Sequence, residues 1–153
     1  MRPNGPPLGL LLATTSKAVG RAFNNALAER GGSIPIWLIL NALKGEPRRT
    51  QLELAYAVGI EGPTLTRHLD GMEQAGLVRR QRGTPDRRAV QVELTRAGRA
   101  LHGRLLKAVI SFNEQLRAGI SGEDEETLRS LLRQLQDNVG ERDLSSSRND
   151  ARV

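Results

Sequence analysis

The chain has 153 residues, a formal net charge of +6 and no cysteine, which excludes disulfides, thiolate metal sites and thiol-based redox sensing. Its length fits one domain, or one domain with a dimerisation element, and is enough to bury a core without covalent or metal staples. No apolar run reaches the ~18 residues of a membrane span, and "LGLLLA" (8–13) lacks a basic leader and a small-residue cleavage site, so a cytoplasmic protein without a signal peptide is expected.

In chain order, residues 8–30 read as a helix, because Leu8, Leu11, Leu12, Val19, Ala22, Phe23, Ala26 and Leu27 recur at spacings of three and four. Gly31 and Gly32 end it. Ser33 caps the next helix, with Pro35 in its first turn; it runs through Trp37, Leu38, Leu40 and Leu43 and stops at Gly45. "TQLE" (Thr50 to Glu53) is a capping box opening a short helix, Leu52 to Val58, which Gly59 breaks. A further helix over 62–75 carries Pro63 in its first turn and an apolar stripe of Leu65, Leu69, Met72 and Ala75; Gly76 ends it. Leu77–Arg82 and Ala89–Leu94 alternate as two antiparallel strands around a turn marked by Pro85 and Asp86. Thr95 caps a long helix bearing Leu101, Leu105, Val109, Phe112 and Leu116. Ser121 caps a last one with Leu128, Leu131, Leu132, Leu135 and Val139. From about Gly140 the composition predicts a disordered tail, 140–153.

Helix–turn–helix followed by a hairpin is the winged-helix arrangement, and its second helix is the candidate for the major groove. The expected fold class is mainly α (α+β). Charge agrees with a nucleic-acid partner: residues 1–43 hold 4 basic and 1 acidic side chains, 44–104 hold 12 and 7, and 105–153 hold 7 and 9. On the helix 62–75 the stripe leaves Glu61, Thr64, Thr66, Arg67 and His68 outward or near the N-terminal end, where hydroxyls suit phosphates and Arg suits guanine edges. A solvated polar face is the plainer reading of such residues taken alone. In the hairpin, Arg87 or Arg88 suits the narrow, negative minor groove. Asp86 is expected to bond one Arg or the turn amides and so pre-set the wing. Arg79, Arg80 and Arg82 add phosphate-binding charge. An ordinary exposed charged turn is the alternative.

The run "QLELAYAVGIEGPTLTRHLDGMEQAGLVRRQRGTPDRRAVQVELTRAG" resembles the DNA-binding core of the MarR family of bacterial transcription regulators. "GIEGPTLTRHLD" and "SIPIWLILNAL" are similar to its SlyA-like branch, and the resemblance covers about residues 8–139. It implies one domain over 8–139, with dimerisation helices at 8–30 and 96–139 and a winged helix-turn-helix at 33–95. It further implies a homodimer on a pseudo-palindromic double-stranded DNA operator. The recognition-helix set is Pro63, Thr64, Thr66, Arg67 and His68; the wing set is Arg80, Arg82, Asp86, Arg87 and Arg88, with Asp86 supporting the wing and an Arg entering the minor groove. Many family members release DNA when a small aromatic acid or lipophile binds, and the matching positions are Thr14, Lys17, Ser33 and Trp37. Thr14 replaces the Arg frequent in SlyA-like proteins, and the lone Trp37 also suits the core. His68 and His102 match no metal spacing, and no phosphate loop or nucleophile constellation is present, so neither a cofactor nor an enzyme is expected. A ligand-independent architectural DNA-binding protein remains the alternative function.

Overall fold

The computed structural model describes residues 5–47, 49–82 and 89–149, with side chains described as far as 140. Six helices and three strands follow in the order α1 (Leu8–Ala28), α2 (Ile34–Gly45), β1 (Arg49–Thr50), α3 (Gln51–Val58), α4 (Gly62–Gln74), β2 (Val78–Arg82), β3 (Val90–Leu94), α5 (Arg96–Leu116) and α6 (Gly122–Asn149) among those residues. They fall into two compact units that divide between Phe112 and Asn113, inside α5.

Local chemistry sets most boundaries in the first unit. Ser33 Oγ accepts the Ile36 amide at 3.3 Å and starts α2, with Pro35 in the first turn. The Thr50–Glu53 capping box forms in both directions, at 3.1 and 2.8 Å, and opens α3. Gly59 ends α3 at φ +66°, a left-handed conformation that costs glycine nothing. Helix α4 ends in a Schellman motif: the Gly76 amide donates to Glu73 O and the Leu77 amide to Met72 O, both at 2.9 Å. Gly76 takes the left-handed position at φ +71°. Ala75, expected on the buried stripe, is instead the exposed C-cap residue, because this motif turns the chain away one residue earlier.

The core of this unit gathers Leu27 from α1, Trp37, Ile39, Leu40 and Leu43 from α2 and Leu54 from α3. It adds Leu65, Leu69 and Met72 from α4, Val78, Val92 and Leu94 from the sheet, and Leu101, Leu105 and Ala108 from α5. Phe23 of α1 stacks on Phe112 of α5, ring centroids 5.0 Å apart. His102, which the sequence reading set on a dimerising helix, is buried here. Its ring stacks on Trp37 at 5.2 Å, and its Nε2 lies 3.1 Å from Asn41 Oδ1. Burial, and then the nearby Lys44 charge, hold its pKa below the usual imidazole value.

The sheet is antiparallel with strand order β1-β3-β2. Arg49 and Thr50 of β1 pair with Val92 and Gln91, and Val78 to Arg82 of β2 pair with Leu94 to Val90. At the end of β3, Thr95 joins the sheet to α5 beside Gly76 and Leu77. Thr95 Oγ1 contacts Gly76 O and Leu77 O at 2.6 and 3.0 Å and accepts the Gly98 amide at 3.0 Å. Gly98 is needed there, since a Cβ on it would lie 2.1 Å from Leu77 O.

In the second unit, Ser121 Oγ accepts the Asp124 amide at 3.1 Å and caps α6. Arg129 pairs with Glu125 at 2.6 Å, one turn away. Leu128, Leu131, Leu132 and Val139 are exposed on this helix. Its backbone continues to Asn149, beyond Val139, where the apolar pattern stops and an unstructured tail was expected.

Candidate nucleic-acid interface

The recognition-helix candidates sit on α4, whose inner face is fixed by Leu65, Leu69 and Met72. With that stripe inward, helical periodicity turns Pro63, Thr64 and Arg67 to solvent and leaves His68 half-buried. Thr66 is half-buried as well, and its hydroxyl is already engaged. It donates to Gly62 O at 3.0 Å and accepts the Gln51 Nε2 amide at 2.6 Å. That pair ties the first residue of α3 to α4. The exposed candidate surface is therefore Pro63, Thr64 and Arg67, with Glu61 at the N-terminal end.

The hairpin arginines divide into two kinds. Arg79 pairs across the strands with Glu93 at 2.9 Å, directly opposite in the register. Arg80 turns back onto α4. Its Nε and Nη2 donate to Glu73 Oε2 at 3.0 and 2.7 Å, and Nη2 also donates to Asp70 Oδ1 at 2.6 Å. The Arg80 backbone amide donates to Glu73 Oε1 at 3.3 Å. The forked bond to Arg80 holds the Glu73 carboxyl below its ordinary pKa and raises that of the guanidinium. Arg82, at the end of β2, is exposed. Asp86, Arg87 and Arg88 lie outside the described residues.

Sequence reasoning placed Arg80 among phosphate-binding charges and missed Asp70, Glu73 and Gln51. A signal existed: Asp70 and Glu73 share one face at i, i+3, and the chain reverses at Gly76 to bring β2 alongside. Of the four effector positions, Ser33 and Trp37 share the first backbone bond of α2, the Trp37 amide donating to Ser33 O at 2.8 Å, and no described side-chain hydrogen bond or ring contact joins any two of the four. Thr14 Oγ1 bonds to Leu10 O and Leu11 O of its own helix, and Lys17 is exposed. Ser33 is a helix cap and Trp37 belongs to the core. Among the described residues, no cluster of His, Cys, Asp and Glu suits a metal ion, and no helix is long and apolar enough to cross a membrane.

A capped α3, a tight turn, α4 with an exposed N-terminal face and an antiparallel hairpin sharing its sheet with β1 define a winged helix-turn-helix protein. Residues 33–90 match the model of the MarR family.

Solved structures agree in fold. The transcriptional repressor CouR, bound to a 23-mer DNA duplex, is 29% identical with a TM-score of 0.78, over 84% of this chain and 92% of its own. A mutant MarR from E. coli complexed with operator DNA is 25% identical, TM-score 0.78, over 84% and 93%. The PcaV transcriptional regulator from Streptomyces coelicolor, in complex with its natural ligand, is 24% identical, TM-score 0.78, over 86% and 92%, and speaks to the fold alone.

Proposed function

We propose that this protein is a sequence-specific DNA-binding transcription regulator that acts as a homodimer on a pseudo-palindromic operator. The observation that carries the reading is the exposed face of α4 at Thr64 and Arg67, tied to α3 by the Gln51–Thr66 bond beside a basic hairpin. An Arg there reaches guanine edges in the major groove, and Thr64 suits a phosphate. Arg82, Arg87 and Arg88 supply the wing's contact, with Asp86 supporting them and one Arg in the minor groove. Similarity to CouR and MarR, each solved with DNA, supports the same reading. The sequences "GIEGPTLTRHLD" and "SIPIWLILNAL" support a SlyA-like branch within it.

Exposed leucines on α1 (Leu8, Leu10, Leu11) and on α6 (Leu128, Leu131, Leu132) support the dimer, since apolar residues grouped this way mark an interaction surface. We place this regulator in the cytoplasm, with the nucleoid as its working site, and read it as a repressor.

The test is fluorescence anisotropy on an operator selected by the protein from a random-sequence duplex pool. With roughly 6–10 phosphates neutralised per dimer, log K falls against log salt with a slope of about −5 to −9. A slope near −2, or no selected sequence, defeats the reading.

Release by a small aromatic or lipophilic ligand completes the proposal, with Thr14, Lys17, Ser33 and Trp37 as its site. Lys17 is the exposed cation there that suits a carboxylate. The structural duties of Ser33 and Trp37 favour a second reading, a ligand-independent architectural DNA-binding protein. Titrating benzoate and hydroxybenzoates against Trp37 fluorescence and operator binding separates the two.

A further inference from the structure

We infer that Arg80 is a positioning residue for DNA recognition, which clamps the wing strand β2 to the recognition helix through Asp70 and Glu73 and takes no phosphate itself. The inference rests on the DNA-binding reading and specifies how the two DNA-facing elements are held together. Strand β2 is an edge strand, because the sheet order is β1-β3-β2. Edge strands leave outward amides unpaired unless something covers them. Here Glu73 accepts the Arg80 amide with one oxygen and the Arg80 side chain with the other, so a single carboxylate grips strand and side chain together. Asp70, one turn earlier on α4, takes the remaining reach of Nη2. Forked, charge-assisted bonds of this kind fix orientation as well as distance.

The burial pattern agrees. The Arg80 side chain is 20% exposed, against 61% for Arg79. A phosphate ligand needs an available guanidinium, whereas Arg80 is occupied by two carboxylates whose charge would repel a phosphate. The cluster also offsets acidic charge that α4 would otherwise carry towards DNA. Arg79 meets a single carboxylate, Glu93, and stays exposed, so phosphate binding falls to Arg79, Arg82 and the arginines beyond them.

The experiment compares wild type, Arg80→Gln, and the double variant Asp70→Ala/Glu73→Ala on the selected operator across a salt series. Alanine at exposed helical positions keeps α4 formed, so the double variant carries the test if Arg80→Gln fails to fold. Positioning predicts at least tenfold weaker binding by both, with the salt slope unchanged. The double variant weakens although each protomer gains two units of positive charge. Equal or tighter binding by the double variant overturns the inference. So does a loss of slope of about 0.9 per protomer in Arg80→Gln, the signature of one lost phosphate contact.

A DNA-free measurement keeps the two readings apart. The Arg80 amide should exchange with solvent at least tenfold faster in Glu73→Ala, read by NMR, and an unchanged rate overturns the clamp. If wild type selects no operator while that amide does accelerate, the DNA-binding reading fails and the clamp remains a structural contact only.

Discussion

Replacing Gly98 with alanine should loosen the junction that sets the wing on α5. The new Cβ would lie 2.1 Å from Leu77 O and 3.1 Å from its carbonyl carbon. A comfortable carbon–oxygen approach is ~3.3 Å or more, so the carbonyl or the helix must move by about 1.2 Å. The obstacle is backbone that cannot rotate away. That carbonyl also accepts the Thr95 amide at 3.1 Å and lies 3.0 Å from Thr95 Oγ1. Losing two hydrogen bonds costs ~1 kcal/mol each, and residual overpacking costs ~1–3 kcal/mol. The higher helix propensity of alanine returns ~1 kcal/mol. The net expectation is a loss of about 2–4 kcal/mol, a fall in Tm of roughly 4–16 °C for a domain of this size.

Thermal and urea unfolding at one fixed protein concentration measures it, since association shifts apparent stability. Gly71→Ala is the control: it lies in the interior of α4, has nothing within 4 Å of its Cβ position, and should gain up to ~1 kcal/mol. Equal stability of Gly98→Ala and wild type would refute this reasoning.

Arg67→Ala should lose base discrimination by ~1–3 kcal/mol, while Arg88→Ala should weaken binding on all sequences and most on A/T-rich sites; anisotropy on matched and scrambled duplexes reads both, and identical profiles would contradict the division. His102 is buried with its pKa depressed, so the unfolded chain binds the extra proton between that pKa and ~6.5. Its contribution to stability is therefore present above pH ~6.5 and is lost as pH falls towards the depressed value. Urea midpoints from pH 5 to 7.5 should fall with acid in wild type and flatten in His102→Gln, and parallel slopes would count against it. Light scattering at micromolar concentration should show a dimer, and Leu128→Glu with Leu132→Glu, placed on one face of α6, should shift it towards monomer; a monomeric wild type sinks the dimer.

What was legible in the sequence is what local chemistry decides. The Thr50–Glu53 box, the Ser33, Thr95 and Ser121 caps and the Gly59 and Gly76 stops each depend on residues within a few positions, and each occurs as read. The face of α4 followed from periodicity, because Leu65, Leu69 and Met72 leave few orientations open. Strand β1 was invisible: two residues carry no period, and Arg49–Thr50 become a strand only because β3 lies alongside. The partners of Arg80 were invisible for a related reason. A charge in a sequence reads as free until the fold brings its partners, and Asp70 and Glu73 arrive only after α4 ends and the chain reverses. His102 shows the same limit, since its burial depends on Trp37, far away along the chain.

The sheet order has a mechanical consequence. Strand β3 of the wing pairs with Thr50, Thr50 caps α3, Gln51 bonds Thr66 of α4, and Arg80 ties β2 back to the same α4. The loop of connections closes on itself, so α4 and the described strands of the hairpin are tied to each other by two separate routes. If the protein binds an operator as proposed, one half-site would then behave as a gauge of set length. A base pair inserted between the two proposed contacts would leave one of them unmade, whereas one inserted at the centre of the proposed palindrome would strain only the joint between protomers.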